Sequence, residues 1–397
     1  MRKNRADAVK IMVEADAFAR LGWAVEVVTP RVRRGREEPA KRDLWRLYNL
    51  EPSFRIVELP TRLTDGAGET RASRAAVRLQ KTVAFGLHAL WLALSTIGRR
   101  EPVTIIAQCY AGSLPYFLAR RLLPVPWRVY LLAAAFVRPR RLERLYARSA
   151  DGVIAINEFI REAFVDAYGV PRERTHRPTP YSYLEVLGEA ASISREDARA
   201  MLGLPADATI VAYTGKIGYP PHEEIEHLLE AAGLLPGYLF AFIGGNGVSE
   251  AQYRERAAAR GLANVVFLGF RPLVDLHRLA VASDVLVSYY ASSDALAATN
   301  RVPAKFSLYR CARRPMVVAD FPGMREVLSE EEAYFVPPDR PELLAAALEE
   351  AVRDGATKGD AAYAAARENT ISAYCAGITS FMRARPARRR PVAAAAE

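Results

Sequence analysis

Residues 209–218 read TIVAYTGKIG, an apolar run that ends in a Gly-Lys loop, and residues 239–247 read LFAFIGGNG, a second apolar run that ends in glycines. Short apolar runs bounded by glycine are typical of buried strands in a parallel sheet. Loops after such strands share one edge of the sheet, where open α/β folds bind their ligands. The two stretches therefore predict an α/β protein with a ligand site beyond these loops.

The same alternation of apolar runs with helix-length segments continues along the chain and predicts two doubly wound α/β domains that face each other across a cleft. Helices are predicted at Ala6–Leu21 and Leu114–Leu123. Strands are predicted in two groups, first Ala24–Val28, Arg55–Leu59, Val103–Ala107, Arg128–Leu132 and Gly152–Ile156, then Ile210–Thr214, Leu239–Ile243, Val265–Leu268, Val285–Ser288 and Met316–Ala319. The proline-containing loop Arg172–Tyr183 separates the groups, so the predicted domains are residues 1–178 and 179–360.

Composition narrows the class of protein. A length of 397 residues and an apolar content of 51% suit two globular domains with full cores. Cys109, Cys311 and Cys375 lie far apart, and the five histidines are scattered, so the sequence predicts neither a disulfide framework nor a metal site. This cysteine usage, with an N-terminus unlike a signal peptide, predicts a cytoplasmic protein.

Charge is distributed unevenly. Residues 1–190 contain 32 Lys and Arg against 20 Asp and Glu, whereas residues 191–382 contain 18 against 24. Such asymmetry favours a basic first half near phosphates, anionic lipid or nucleic acid, although a solvated basic surface gives the same counts. Nucleic acid is the least favoured of these partners, because the sequence has no recognition motif and no interleaved aromatic residues.

Residues 81–98, KTVAFGLHALWLALSTIG, form the most apolar segment. Three structures remain open for it: a helix buried on the sheet, an interfacial helix that touches a membrane, or a bilayer span. Gly86, His88, Ser95 and Thr96 argue against a span, while the cations that follow favour an interfacial position. A buried helix is the preferred prediction.

Two lysines follow predicted strands at the same edge of the second sheet. Lys216 lies in the first glycine loop, and residues 300–320, NRVPAKFSLYRCARRPMVVAD, place Lys305 after the loop that leaves Val285–Ser288. Glycines let backbone N–H groups approach an anion, lysine neutralises phosphate, and Pro303 suits the first turn of a helix whose positive end would face that anion. We therefore predict a diphosphate site, although each piece alone fits a tight turn, a surface lysine or an ordinary helix start.

Together these features resemble the retaining, nucleotide-sugar-dependent glycosyltransferases of family 4, which have the GT-B fold of two Rossmann-like domains. The resemblance covers most of the chain and rests on residues 4–9, 17–22, 149–157, 213–217, 264–270 and 282–287, on the pattern Pro303-x-Lys305-x-x-x-Tyr309, and on residues 314–320. It begins at the family's first helix, so the opening strand of the first domain is expected to be missing. It also implies a helix over residues 361–382 that crosses back to the first domain, ahead of a basic, disordered tail at 383–397.

The resemblance implies transfer of a sugar, with retention, from a nucleotide-sugar donor to a hydroxyl acceptor that is lipid-linked or a polysaccharide. No metal and no cofactor are expected, and contact with the inner face of an anionic membrane is expected. The implied residues are Gly215, Lys216, Ala304 and Lys305 for the donor diphosphate, Gly244, Gly245, Asp294, Asn300 and Tyr309 for the donor nucleotide and sugar, and Arg5 and Asp7 on the acceptor side.

Departures from the family pattern leave the activity open. Asn300 and Leu308 stand where the family carries two glutamates, Glu223 and Glu224 stand near its second basic position, and residues 130–136 lack its histidine. A catalytically degenerate protein that binds or stabilises a partner is therefore the alternative hypothesis. If the Lys305 ammonium contacts the donor phosphate, Lys305→Ala is expected to weaken donor binding and to leave the fold intact. Leu308→Glu is expected either to restore a ribose contact or, if Leu308 is packed, to destabilise the helix.

Overall fold

A computed structural model of the protein describes residues 6–30, 43–61, 71–99, 101–108, 110–134, 141–215, 217, 223–245, 247–292 and 302–384. For Asp7 and several other helical residues it describes the backbone alone. The chain divides into two compact units. Unit 1 comprises Met1–Val25, Glu38–Phe54 and Thr179–Cys375, and unit 2 comprises Glu26–Glu37, Arg55–Pro178 and Ala376–Glu397.

Helices and strands alternate along both units. Up to residue 202 the elements are α1 (Ala6–Arg20), β1 (Glu26–Pro30), α2 (Asp43–Tyr48), β2 (Arg55–Leu59), α3 (Arg71–Thr96), β3 (Val103–Ala107), α4 (Tyr110–Leu122), β4 (Trp127–Ala133), α5 (Arg141–Ser149), β5 (Gly152–Ala155), α6 (Glu158–Tyr168), β6 (Thr175–His176), α7 (Leu184–Leu187) and α8 (Arg195–Leu202). From residue 209 they are β7 (Thr209–Thr214), α9 (Glu223–Leu234), β8 (Tyr238–Ile243), α10 (Gly247–Ala259), β9 (Val265–Phe267), α11 (Leu273–Ala282), β10 (Val285–Ser288), α12 (Phe306–Tyr309), β11 (Met316–Ala319), α13 (Pro322–Arg325), β12 (Ala333–Val336), α14 (Pro341–Asp354), α15 (Ala356–Glu368) and α16 (Ile371–Arg383).

Unit 1 is built on a six-stranded parallel sheet with the spatial order β12-β11-β10-β7-β8-β9. The strands at its centre are buried except for the first residue of β7, which explains why they are nearly continuous apolar runs. Strand order reverses between β7 and β10, as in a Rossmann sheet. In such sheets the crevice at the carboxyl ends of the two strands flanking the reversal is the usual ligand site.

Unit 2 contains a parallel pair, β1-β2, and a four-stranded parallel sheet of order β3-β4-β5-β6. α3 packs along α4, and buried residues of both helices join the core formed by β4 and β5. The last turn of α16 also belongs to this unit, since the Met382 carbonyl accepts a hydrogen bond of 3.0 Å from the Tyr130 hydroxyl.

The predicted α/β architecture is confirmed, and each of the ten predicted strands is present with its ends shifted by at most two residues. β6 and β12 were not predicted. The segment 361–382, for which one helix was expected, holds parts of α15 and α16. The break occurs because the Thr370 side chain accepts a hydrogen bond from the Ala373 N–H, 3.1 Å away, and so caps the start of α16.

In the part of the chain that the structure describes, no helix has the length and apolar character needed to cross a membrane.

Candidate functional site

The glycine loops after β7 and β8 lie against each other at the point where strand order reverses. The Gly215 N–H donates to the Ile243 carbonyl, and the Gly244 N–H donates to the Gly269 carbonyl, both at 3.0 Å. A Cβ atom on Gly244 would lie 1.7 Å from the Gly215 carbonyl oxygen, and its φ of 137° is itself unfavourable for other residues. Glycine is therefore required at position 244 by backbone packing alone.

Gly245 and α10 complete this rim of the sheet. Gly245 has a φ of 87° and turns the chain into α10, which begins two residues later at Gly247. The Ser249 hydroxyl in the first turn of α10 donates to the Ile217 carbonyl at 2.8 Å and so ties the two loops together. The positive end of a 13-residue helix thus lies beside the loops, which favours an anion there.

Lys305 reaches the same rim, but a carboxylate accompanies it. Its Nζ atom lies 3.1 Å from the Glu224 Oε1 atom, and only about a tenth of either side chain is exposed (9% and 10%). The ammonium also lies over the Tyr213 ring, 3.9 Å from its centroid, and 5.4 Å from the centroid of Tyr290. The expected cation is therefore present as one half of a buried ion pair, not as a free charge.

This pairing adds a cost in stability to the expected effect of Lys305→Ala on donor binding. Removing the ammonium would leave Glu224, in the first turn of α9, as a buried carboxylate without this partner, which is costly. The neighbouring Tyr213 responds to the same surroundings. Burial raises the pKa of the Tyr213 hydroxyl well above its usual range, and the nearby Glu224 carboxylate raises it further, so the ring stays neutral under the ammonium.

Tyr309 lies behind the rim. It is completely buried, and its hydroxyl accepts a hydrogen bond from the Thr214 N–H at 2.9 Å and donates to the Val287 carbonyl at 3.1 Å. These two partners sit at the ends of β7 and β10, so Tyr309 holds together the strands between which the order reverses. The side chain has no exposed surface for a donor to contact, and the structure thus gives Tyr309 a supporting position.

The helix expected to start at Pro303 begins three residues later. The Phe306 N–H donates to the Pro303 carbonyl at 3.1 Å, which makes residues 303–306, Ala304 among them, a tight turn. α12 then contains only four residues, so its dipole contributes less than the prediction assumed. Leu308 of this helix is 2% exposed, so packed apolar surface occupies the place of the expected carboxylate.

Several predicted site residues lie outside the described part of the chain: Arg5, Lys216, Asp294 and Asn300. For Asp7 the structure describes only the backbone, in the first turn of α1. Within the described residues the structure brings together Gly215, Gly244, Gly245 and Lys305, and no group of three or more His, Cys, Asp or Glu there is arranged to hold a metal ion.

Two contacts at the rim were not predicted. The first is the position of the Lys305 ammonium over the rings of Tyr213 and Tyr290. The loop after β10 is anchored by Asp339, whose carboxylate accepts the Ser292 N–H at 3.2 Å and lies 3.1 Å from the His227 Nε2 atom. Although burial opposes the shift, the hydrogen bonds from Ser292 lower the pKa of Asp339 below its usual value. No local sequence signal marks this network, because its members lie at least 47 residues apart.

Two family models match the chain in succession. Residues 8–178 match the glycosyl transferase 4-like domain, and residues 194–370 match the glycosyl transferases group 1 domain. A comparison with curated proteins gives no significant match.

Solved structures of the same fold are similar over nearly their whole length. A glycosyltransferase from Rickettsia africae is 11% identical with a TM-score of 0.68, and 96% of this chain and 94% of that chain are covered. Sucrose-phosphate synthase from Thermosynechococcus elongatus is 18% identical with a TM-score of 0.69 (95% and 92% covered), and Anabaena HepE in complex with UDP-glucose is 16% identical with a TM-score of 0.69 (97% of each covered). The chain therefore belongs to the glycosyltransferases of the GT-B fold.

Proposed function

We propose that the protein transfers a sugar from a nucleotide-sugar donor to a hydroxyl group of an acceptor, with retention of the anomeric configuration. The observation that carries the proposal is the cluster at the reversal of strand order in unit 1, where the glycine loops after β7 and β8 meet Lys305. Tyr213 links the two parts, because its ring lies under the ammonium and its hydroxyl lies 2.9 Å from where a Cβ of Gly215 would be.

In this proposal the diphosphate of the donor binds at the rim through backbone N–H groups and lysine. Lys305 and, from its sequence position, Lys216 supply the positive charge that stabilises the departing nucleoside diphosphate as the sugar–oxygen bond breaks. The charge that accumulates on the leaving group is thus met by ammonium groups, so the proposal needs no metal ion and no cofactor. Gly244, Gly245, Asp294 and Asn300 are proposed to lie along the nucleotide and sugar, and Arg5 and Asp7 along the acceptor.

Glu224 has to give up Lys305 when the donor binds. Its carboxylate holds the ammonium in the ligand-free protein and occupies the position of an anion, so phosphate and Glu224 compete for the same cation. The Tyr213 ring remains under the ammonium in either state and limits how far Lys305 moves. We propose that this exchange of partners accompanies donor binding.

The proposed acceptor is a lipid-linked or polysaccharide hydroxyl compound, and the proposed location is the cytoplasm, including the inner face of the membrane. The test is to incubate the purified chain with UDP-glucose, UDP-N-acetylglucosamine, GDP-mannose and ADP-glucose, each with a broad panel of lipid-linked and saccharide acceptors, and to measure nucleoside diphosphate release. UDP-glucose is tried first because the similar HepE structure contains it. Release from one donor, lost in Lys305→Met, supports transfer, whereas no release from any donor by folded protein contradicts it.

A second candidate is a degenerate glycosyltransferase-like protein that binds a partner. The buried Leu308 and the neutralised Lys305 favour it, because both weaken a donor site. Turnover separates the two candidates: its absence over a broad acceptor panel, even with sugar-nucleotide affinity, fits the degenerate protein, and its presence excludes it.

A further inference from the structure

The outer face of α3 in unit 2 is apolar and exposed. Every large side chain on it is between 44 and 67% exposed, and the set comprises Leu79, Val83, Leu87, Leu90, Trp91, Leu94 and Ile97, the last just beyond the helix end. At about 100° per residue these positions fall within an arc of roughly 120°, and they extend over roughly 27 Å of helix. We call this set the α3 apolar face.

The opposite face of α3 is fixed by specific contacts, so the helix cannot turn its apolar face inward without breaking them. His88 Nδ1 lies 2.8 Å from the Tyr116 hydroxyl of α4. The Trp127 Nε1–H of β4 donates to the Thr96 hydroxyl at 2.9 Å. Ala89 and Ala93, both buried, bring the helix close to the sheet. This corrects the prediction of a helix buried on the sheet, because only one side of α3 is buried.

Charge decides what can cover the α3 apolar face. Residues 71–149, which include α3, α4 and α5, contain 14 Lys and Arg residues against two Glu. A second copy of this chain would bring two such segments together with almost no compensating carboxylates, and their repulsion opposes self-association. An anionic lipid surface instead matches both features, since acyl chains accept the leucines and lipid phosphates accept the cations.

We infer that the α3 apolar face docks the protein in the plane of an anionic membrane. Trp91 lies at one edge of the arc, where an amphipathic ring suits the boundary between headgroups and acyl chains. Further exposed leucines lie on α4, which packs along α3, and on α5, which packs against α4: Leu118 and Leu122, and Leu142 and Leu145. The inference rests on the proposed function only for the location of the acceptor, because the exposed residues of α3 lie outside the proposed donor site.

The test is flotation of the full chain with vesicles of phosphatidylcholine and phosphatidylglycerol at a 70:30 ratio, and with phosphatidylcholine alone. The protein is expected to float with the anionic vesicles, less at 1 M salt because screening shortens the range of the charges. Leu87→Glu and Leu94→Glu are each expected to lower the partition coefficient roughly tenfold or more. The matched control is Leu234→Glu, an exposed leucine of unit 1, which should float like the parent chain.

A second readout uses the fluorescence of the parent chain and of one conservative variant. Trp91 fluorescence should shift to shorter wavelength on anionic vesicles, and the shift should vanish in Trp91→Phe. Failure of the parent chain to float or shift overturns the inference, as does a dimer in solution that Leu87→Glu dissociates. Nucleoside diphosphate release is measured on the same protein preparations before vesicles are added. If release persists while flotation fails, the docking inference alone is wrong, and if flotation persists without release, only the proposed function fails.

Discussion

Replacing one or both partners of the Lys305–Glu224 pair tests whether this buried ion pair stabilises the fold and competes with phosphate. At 3.1 Å the two charges attract by roughly 5 kcal/mol in an effective dielectric of about 20, and desolvation of two nearly buried groups offsets much of this. Removing one partner of a buried pair costs about 3 kcal/mol. We therefore expect Lys305→Met to lower the free energy of unfolding by about that amount, and the double variant with Glu224→Gln to recover most of it.

Donor affinity should move in opposite directions in the two single variants. Lys305→Met removes a charged donor to phosphate and should weaken UDP binding by roughly 30-fold. Glu224→Gln removes the carboxylate that competes for Lys305 and should strengthen UDP binding by roughly tenfold. Stability is measured by urea unfolding, followed by circular dichroism, and affinity by titration calorimetry.

Lys358→Met is the matched control, since this lysine also lies over a tyrosine ring, 4.8 Å from the centroid of Tyr334. It should change stability by less than about 1 kcal/mol and leave UDP binding unchanged. A Lys305→Met variant as stable as the parent chain would contradict the expected cost of breaking the pair. Weaker UDP binding in Glu224→Gln, by as much as in Lys305→Met, would contradict the competition for Lys305, because Glu224 would then position the lysine for phosphate.

Three further predictions concern single residues of unit 1. Gly244→Ala should destabilise the protein by about 3 kcal/mol or abolish donor binding, because the new Cβ would lie 1.7 Å from the Gly215 carbonyl oxygen. Gly237→Ala is the control and should be nearly neutral, because the space around Gly237 is open. Urea unfolding compares the two variants. Leu308→Glu should destabilise the protein by about 3 kcal/mol without improving UDP affinity, since it places a carboxylate in a buried position. The control Leu308→Met should cost less than about 1.5 kcal/mol. Stronger UDP binding in the glutamate variant would contradict this prediction. Burial lowers the pKa of His277 from 6.5 to about 4, so below pH 6.5 the unfolded chain takes up the proton before the folded protein does, and stability decreases as the pH is lowered. Between pH 7.5 and pH 5 this loss amounts to about 2 kcal/mol. His277→Gln should remove it from the pH profile of unfolding.

The strands were predictable because each is an apolar run bounded by polar, glycine or proline residues. β7, β8 and β10 carry this signal in full, and the glycine loops follow directly after β7 and β8. β6, with two residues, is too short for periodicity to detect. β12 has only four residues, and two of these are half-buried.

Partners across the fold could not be predicted from local sequence. Lys305 and Glu224 are 81 residues apart, and they meet only because strand order reverses between β7 and β10. Tyr309 fits the family pattern for a donor contact, yet its hydroxyl bonds to the backbone of two strands that lie 95 and 22 residues away. For α3 the sequence predicted a helix, but which face is buried depends on contacts with α4 and β4.

The central claim is that the rim of unit 1 binds the diphosphate of a nucleotide-sugar. The most direct test is calorimetric titration of the purified chain with UDP, GDP, ADP and dTDP, each against its nucleoside. We expect one diphosphate to bind at least tenfold more tightly than its nucleoside. Lys305→Met should abolish this difference and leave nucleoside affinity unchanged. Equal affinity for diphosphate and nucleoside, or no binding of either by folded protein, would contradict the claim.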